Sequence, residues 1–174
     1  MTQDNNERHW FVAYVMACRE RKAAEALAAM GYEHYLPVQR EVRQWSDRKK
    51  IVERLVLPRM IFIRCTNAER VPVLKQIPAI YRFMTSHGPY TPVVVPDIQL
   101  ETFRSMVERS GRPVSVTAEQ FAPGDKVRVK DGPLTGCVCE LISVSGKKCL
   151  AVRLGAIGTV TVEMELETLE IIKD

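Results

Sequence analysis

Between Arg40 and Arg59 the chain carries seven cations (Arg40, Arg43, Arg48, Lys49, Lys50, Arg54 and Arg59) against three acids, with Trp45 among them. Guanidinium and ammonium groups hold phosphates, and an exposed indole can stack on an unpaired base. Arg43, Trp45, Arg48, Lys49 and Lys50 are therefore candidate nucleic-acid contacts. The competing reading is a solvated loop with Trp45 packed on its own domain. Nothing comparable points to catalysis. The chain has no P-loop, GxGxxG, HExxH or GxSxG pattern, and nothing links Cys18 to a histidine. No catalytic residue and no cofactor are assigned, and an enzyme is not expected.

The five cysteines (Cys18, Cys65, Cys137, Cys139, Cys149) are odd in number and follow no secretory signal, so a disulfide framework is not expected. Cys137-x-Cys139 lacks zinc-knuckle spacing, and His9, His34 and His87 lie far apart, so no metal site is expected either. The 174 residues can build one medium domain or two small ones. No apolar run approaches the roughly eighteen residues of a membrane span. A cytoplasmic protein with a short disordered N-terminal tip is expected. The net charge of +4 is unevenly placed: residues 1–110 hold 17 of the 25 basic and 12 of the 21 acidic groups, a local excess of +5, while residues 111–174 come to −1. The first part is the one suited to an anionic neighbour.

The elements that must position these residues follow from periodicity. Residues 9–17 are rich in aromatic and β-branched types and read as a strand. Ala23, Ala26, Leu27 and Met30 then predict an amphipathic helix, with Gly31 as its C′ residue. An extended segment over 32–43, interrupted by Pro37, and Ile51–Leu57 predict a hairpin whose basic tip spans Gln44–Lys50. Met60–Ile63 reads as a strand covered on both faces. A short helix is expected between Ala68 and Gln76, with Pro72 either in its first turn or kinking it. Tyr81–Met84 and Val93–Val95 are extended, and a helix opening at Pro96-Asp97 puts Leu100, Phe103 and Val107 on one face. This order predicts an antiparallel sheet with helices packed against it, an α+β domain over 1–108. Residues 109–120 read as a linker. Over 121–174, alternation at Val127/Val129 and Val160/Val162 between turn signals predicts a small, twisted β-barrel. Glu163, Glu165, Glu167 and Glu170 read as a solvated strand face, with a basic partner surface as the alternative.

These residues, in this order, resemble the NusG family, in which an N-terminal NGN domain precedes a C-terminal KOW domain. The resemblance rests on Trp10 in the first strand, the Glu20–Met30 helix, Leu57-Pro58-Arg59-Met60-Ile61-Phe62-Ile63 and Ala79-Ile80-Tyr81-Arg82-Phe83. In the second part it rests on Pro123-Gly124-Asp125 and Asp131-Gly132-Pro133. It implies that the first domain docks on the clamp helices of the largest RNA polymerase subunit and bridges the main cleft. The implied contacts are Trp10, Tyr14, Leu57, Pro58, Arg59 and Met60. The hydroxyl-rich turn of Thr85 and Ser86, followed by His87, is a candidate for the bridge, and an ordinary exposed turn is its rival reading. Upstream or non-template DNA would lie near the basic hairpin, and the protein is expected to act as a monomer with no membrane partner.

The family's usual Phe-Pro-Gly-Tyr is here Leu57-Pro58-Arg59-Met60, Cys139 replaces an expected glycine, and Ile157-Gly158-Thr159 replaces Phe-Gly-Arg. The last loop is where housekeeping members touch the ribosome and the Rho terminator, so the KOW partner is left open. The departures resemble specialised paralogues that antiterminate capsule or other surface-polysaccharide operons. A housekeeping elongation factor is the alternative. A polymerase-independent RNA-binding protein is a further rival, but the RNP1 aromatics are missing from Met60–Arg64.

Overall fold

The strand opened by His9 is the axis of the first unit. The computed structural model describes residues 6–86, 88, 90–164 and 168–173. It divides into Met1–Pro37 with Leu57–Asp97, and Val38–Val56 with Ile98–Asp174. In the first unit β1 (His9–Val15) is hydrogen-bonded on both edges. One edge pairs with β5 (Met60–Cys65), which in turn carries β2 (Glu33–Tyr35). The other edge pairs with β6 (Ile80–Phe83) and, further along, with β7 (Val94–Val95). All pairings are antiparallel.

Side chains alternate across a strand, so Phe11, Ala13 and Val15 join Ile61, Ile63 and Cys65 on one face. That face packs against Ala23 and Leu27 of α1 (Glu20–Ala29), Val73 of α2 (Arg70–Gln76), and Ile77, Ile80 and Phe83. Phe11 and Phe83 meet edge-on at 6.1 Å, the arrangement favoured by ring quadrupoles. Helix α1 ends at Gly31 (φ 77°), whose N–H donates to the Ala28 carbonyl while the Tyr32 N–H donates to Leu27, an αL termination of the expected kind. A reciprocal bond pair precedes α2. The Glu69 N–H donates to Thr66 Oγ1 and the Thr66 N–H to the Glu69 carboxylate, a capping-box pattern that sets Pro72 harmlessly in the first turn.

In the second unit β3 (Val38–Gln44) and β4 (Lys49–Leu55) form a two-stranded hairpin with seven paired positions. Both strands reach further than expected, so the tip shrinks to residues 45–48. The base of the hairpin is latched by the buried Gln39. Its amide donates to the Arg112 carbonyl at 2.7 Å, and its oxygen accepts from the Val114 N–H at 2.9 Å. Arg54 donates to the Gln39 oxygen, the Val114 carbonyl and the Glu41 carboxylate. This ties the hairpin to the chain that follows α3 (Asp97–Arg109).

One expectation for the second part is corrected. Residues 109–120, expected as a linker, contribute β8 (Val114–Thr117), paired with β12 (Thr159–Glu163). Val114 and Val116 supply the alternation that the neighbouring Gly111 and Pro113 disguised. The strands over which a small, twisted barrel was expected form a hydrogen-bonded path β13-β9-β10-β11-β12-β8, with β13 (Leu169–Ile171) at one end. Its middle strands are β9 (Asp125–Val129), β10 (Val138–Val144) and β11 (Lys147–Arg153). Among the described residues β8 occupies the edge of β12, and no pairing joins β8 to β13. Strand β12 is also buried on both faces, Thr159 and Thr161 included, rather than alternating with solvent.

Close approach explains two glycines of this sheet. A Cβ on Gly124 would lie 2.1 Å from the Leu141 carbonyl oxygen, and one on Gly158, at φ 131°, 2.4 Å from that of Thr117. The Asp131 carboxylate accepts the Thr168 N–H at 2.7 Å and its hydroxyl at 2.8 Å, which docks the start of β13 and holds the Asp131 carboxyl below its usual range. Glu163 pairs with Lys147, and Glu170 with Lys130, as on a solvated face. Glu165 and Glu167 lie outside the described residues, as does the extreme N-terminal tip.

Arg153 grips Glu140 with two nitrogens at 2.9 Å, and the same carboxylate accepts the Gly124 N–H. Bonding to Arg153 lowers the Glu140 carboxyl below its ordinary value of 4.5. A depressed folded pKa gives stability that is present above the unfolded value and lost as pH falls through the folded one. Glu140→Gln should therefore cost about 0.5–1 kcal/mol at neutral pH, after discounting for partial exposure, and nothing in acid below both values. Thermal midpoints of the two proteins, compared at neutral and at acid pH, check this.

Candidate functional site

The register of β1 builds a row of side chains. Tyr14 lies directly opposite Met60 on β5 and Arg82 on β6, so all three share one face. The Arg82 guanidinium sits 4.7 Å from the Tyr14 ring centroid, and Tyr81 stacks on Tyr14 at 6.1 Å. Tyr14 and Met60 are half-buried, and Met16 and Tyr81 are exposed.

The turn leading into Met60 is held at both ends. The Val15 N–H donates to the Arg59 carbonyl at 2.9 Å, and the Arg59 N–H donates to the buried carboxylate of Glu20 at 3.0 Å. Arg59 has φ 65°, a left-handed conformation at the position where the resembled pattern carries glycine. Pro58 and Arg59 are exposed, whereas Leu57 and Trp10 are buried. Of these six residues expected in the polymerase contact, four thus present surface around one turn and row, and two lie in the interior. Trp10 is covered in part by the Arg64 guanidinium, 6.0 Å from its ring and itself paired with Glu33 and Asp97.

Thr85 forms an isolated bridge with Pro92, and the Ser86 N–H donates to the Thr91 carbonyl at 2.9 Å. Their hydroxyls stand on a short loop at the end of β6, with Thr85 exposed and Ser86 half-buried. His87 lies outside the described residues.

The hairpin sorts its cations. Arg40 pairs with Glu53, and Arg43 and Arg54 both pair with Glu41. Among the described residues no ion pair reaches Arg48, Lys49 or Lys50. Trp45 is 53% exposed, with the Lys50 ammonium 5.7 Å from its ring. The indole therefore stands in solvent rather than packing on its own unit. Arg43 and Lys50 lie opposite each other across the strands, as do Gln44 and Lys49. The tip combines unneutralised charge with an open aromatic face, the two groups that hold a nucleic-acid backbone and a base.

Thiol chemistry has little support. All five cysteines are free, and only Cys18 is exposed. Burial pushes the thiols of Cys65 and Cys139 up to about 12, which leaves them protonated and inert at neutral pH. Among the described residues no group of three His, Cys, Asp or Glu side chains could hold a metal ion, and no helix is long and apolar enough to cross a membrane.

Sequence reasoning missed Tyr81 and Arg82 as parts of the surface, although both sit in a segment that carried the family resemblance. The available signal was an aromatic and a cation at adjacent positions of a strand otherwise made of core residues.

A family model described as transcription termination factor nusG matches residues 8–104. The match spans more than half the chain and includes the whole Tyr14 row, the Pro58-Arg59 turn and the hairpin. The chain belongs to the NusG family, a family of transcription factors rather than enzymes. Among solved structures, Thermotoga maritima NusG, studied for its domain interaction, is 19% identical, covering 96% of this chain and 98% of its own, with a TM-score of 0.46. A chain of the MjSpt4:Spt5 complex in conformation A is 15% identical, covering 93% of this chain and 98% of its own, with a TM-score of 0.33. No curated protein matches the chain significantly.

Relief of the left-handed backbone at Arg59 gives a stability prediction. Arg59→Gly should raise stability by about 1 kcal/mol, because glycine adopts this conformation without a Cβ clash, and Arg59→Val should lower it. Denaturant midpoints of the three proteins decide the order.

Proposed function

We propose that the chain is a transcription elongation and antitermination factor that binds RNA polymerase through its first unit and promotes processive transcription of long operons, polysaccharide operons in particular. The observation that carries this reading is the exposed Pro58-Arg59 turn running into the Met60–Tyr14–Arg82 row, within the span matched by the NusG family. Pro58, Arg59, Met60 and Tyr14 supply the contact to the clamp helices of the largest subunit. Leu57 and Trp10 support it from the interior. Thr85 and Ser86 reach the opposite side of the cleft.

The mechanism is a population shift. A factor that prefers the closed cleft biases polymerase by its differential affinity for closed over open states and by nothing else. A bias of about 1.4 kcal/mol changes the ratio of paused to active complexes tenfold. The hairpin tip, through Arg48, Lys49, Lys50 and Trp45 with Arg43 behind them, rests on upstream duplex or the non-template strand. The C-terminal strands act as a KOW-type recruiting module, a reading supported by Pro123-Gly124-Asp125 and Asp131-Gly132-Pro133. The departure at Ile157-Gly158-Thr159 favours a specialised role over coupling to the ribosome or Rho. The protein works as a monomer in the cytoplasm.

Met60→Asp would place a carboxylate in an apolar contact, and it should weaken binding to purified core polymerase by about tenfold or more. Unchanged affinity would remove this strand from the contact. Replacing Lys49 and Lys50 by alanine should leave polymerase binding in place but lower the salt slope of DNA binding by about two.

A further inference from the structure

The end of the β3–β4 hairpin has two chemically different sides. Side chains alternate along each strand, and directly opposed residues share a side. Arg43 lies opposite Lys50, Glu41 opposite Val52 and Gln39 opposite Arg54, all on one side. On the reverse side Val42 lies opposite Ile51, each 66% exposed, and Gln44 opposite Lys49. Trp45 continues the odd-numbered row of β3, and the Lys50 ammonium, 5.7 Å from its ring, places the indole on the Arg43–Lys50 side. Lys49 and Lys50 are neighbours in the chain, yet only Lys50 stands with the aromatic.

The backbone that carries the indole is pinned. The Trp45 N–H donates to the Arg48 carbonyl at 2.8 Å, which closes the turn, and the Gln44 side-chain amide donates to the Trp45 carbonyl at 3.3 Å. The ring itself is 53% exposed, and among the described residues no second cation and no aromatic ring packs on it. Arg43 and Arg54 share the Glu41 carboxylate, so with Lys50 this side sets three cations against one acid along the paired strands. Cations alone suffice to hold phosphates, whereas an indole adds affinity only where it meets an open base face. In a duplex each base is covered above and below by its neighbours. In a single strand the base faces are open, and an aromatic side chain stacks on them whatever the base.

We infer that the hairpin is a one-sided clasp for unpaired nucleic acid: a base stacks on Trp45 while Lys50 and Arg43 hold the phosphates beside it, and duplex is held by charge alone. This rests on the nucleic-acid reading of the hairpin above and adds to it the strandedness of the ligand and the side that takes it. Lys49, on the reverse side, adds to the general attraction for phosphates and so to the salt slope, but not to the preference for a single strand. Displaced DNA and transcript RNA offer the same base face and the same phosphates. Only a contact to the 2′-hydroxyl would tell them apart.

The test titrates the full chain at low salt with a short unstructured single-stranded DNA, the RNA of the same sequence and the blunt DNA duplex. Wild type is compared with Trp45→Ala, Trp45→Phe, Lys49→Ala and Lys50→Ala. Wild type should prefer the single strands to the duplex by about tenfold, and Trp45→Ala should abolish that preference without weakening duplex binding. Trp45→Phe, which keeps a ring, should retain most of it. Lys50→Ala should lower the ratio of single-strand to duplex affinity, whereas Lys49→Ala should weaken both alike. The other tryptophan, Trp10, is buried, so quenching of indole emission by the single strands in wild type reports on Trp45. If duplex binds as tightly as single strand and Trp45→Ala changes neither, the hairpin remains a charge-only contact and the stacking proposal falls. If Lys49→Ala lowers the ratio as much as Lys50→Ala, the one-sided arrangement falls. If no probe binds, or neither lysine variant weakens any of them, the nucleic-acid reading of the hairpin fails and takes the proposal with it. Tighter binding of DNA than of RNA would support the displaced strand as the source, and the reverse the transcript; either upholds the unpaired ligand.

Discussion

Hydrogen bonding on both edges of β1 is the constraint on which the first unit depends. A strand with β5 on one side and β6 and β7 on the other cannot slip by one residue without sending Phe11, Ala13 and Val15 out of the core. The register that buries those three is also the one that sets Tyr14 between Met60 and Arg82. Core packing and surface chemistry are therefore two consequences of one alignment. The Glu20 carboxylate, buried at the start of α1, extends the same alignment to the next turn by accepting the Arg59 N–H. Helix, turn and strand end are held in one piece, so the exposed residues of the turn are presented on a rigid support.

The hairpin of the second unit follows a different logic. Its base is latched by Gln39 and Arg54 to the chain around Arg112 and Val114, and its lower cations are neutralised by Glu41 and Glu53. The larger excess lies towards the tip, where Arg48, Lys49 and Lys50 stand against Asp47 beside an exposed indole. A long-range attraction for phosphates is thereby concentrated at the end of a stiff two-stranded arm rather than spread along it.

Much of this was legible in the chain. Helix α1 with its Gly31 stop, the hairpin and the apolar strand from Met60 followed from periodicity and turn chemistry. What was not legible depends on pairing partners. Trp10, read mainly as core with a possible place in the contact, and Leu57, expected in that contact, are both buried, while Tyr81, read only as part of an extended segment, stands at the surface. Residues 114–117 were punctuated by Gly111 and Pro113, which hid two valines that only acquire meaning beside Val160 and Val162 on β12. Local pattern fixes the element type, but edge occupancy and exposure belong to the assembled sheet.

The central claim, that this chain travels with RNA polymerase, is tested most directly by chromosome-wide occupancy of the tagged protein measured alongside polymerase. The account predicts signal that coincides with polymerase on one or a few long operons and begins near their promoters. Occupancy that follows no transcribed gene would contradict it.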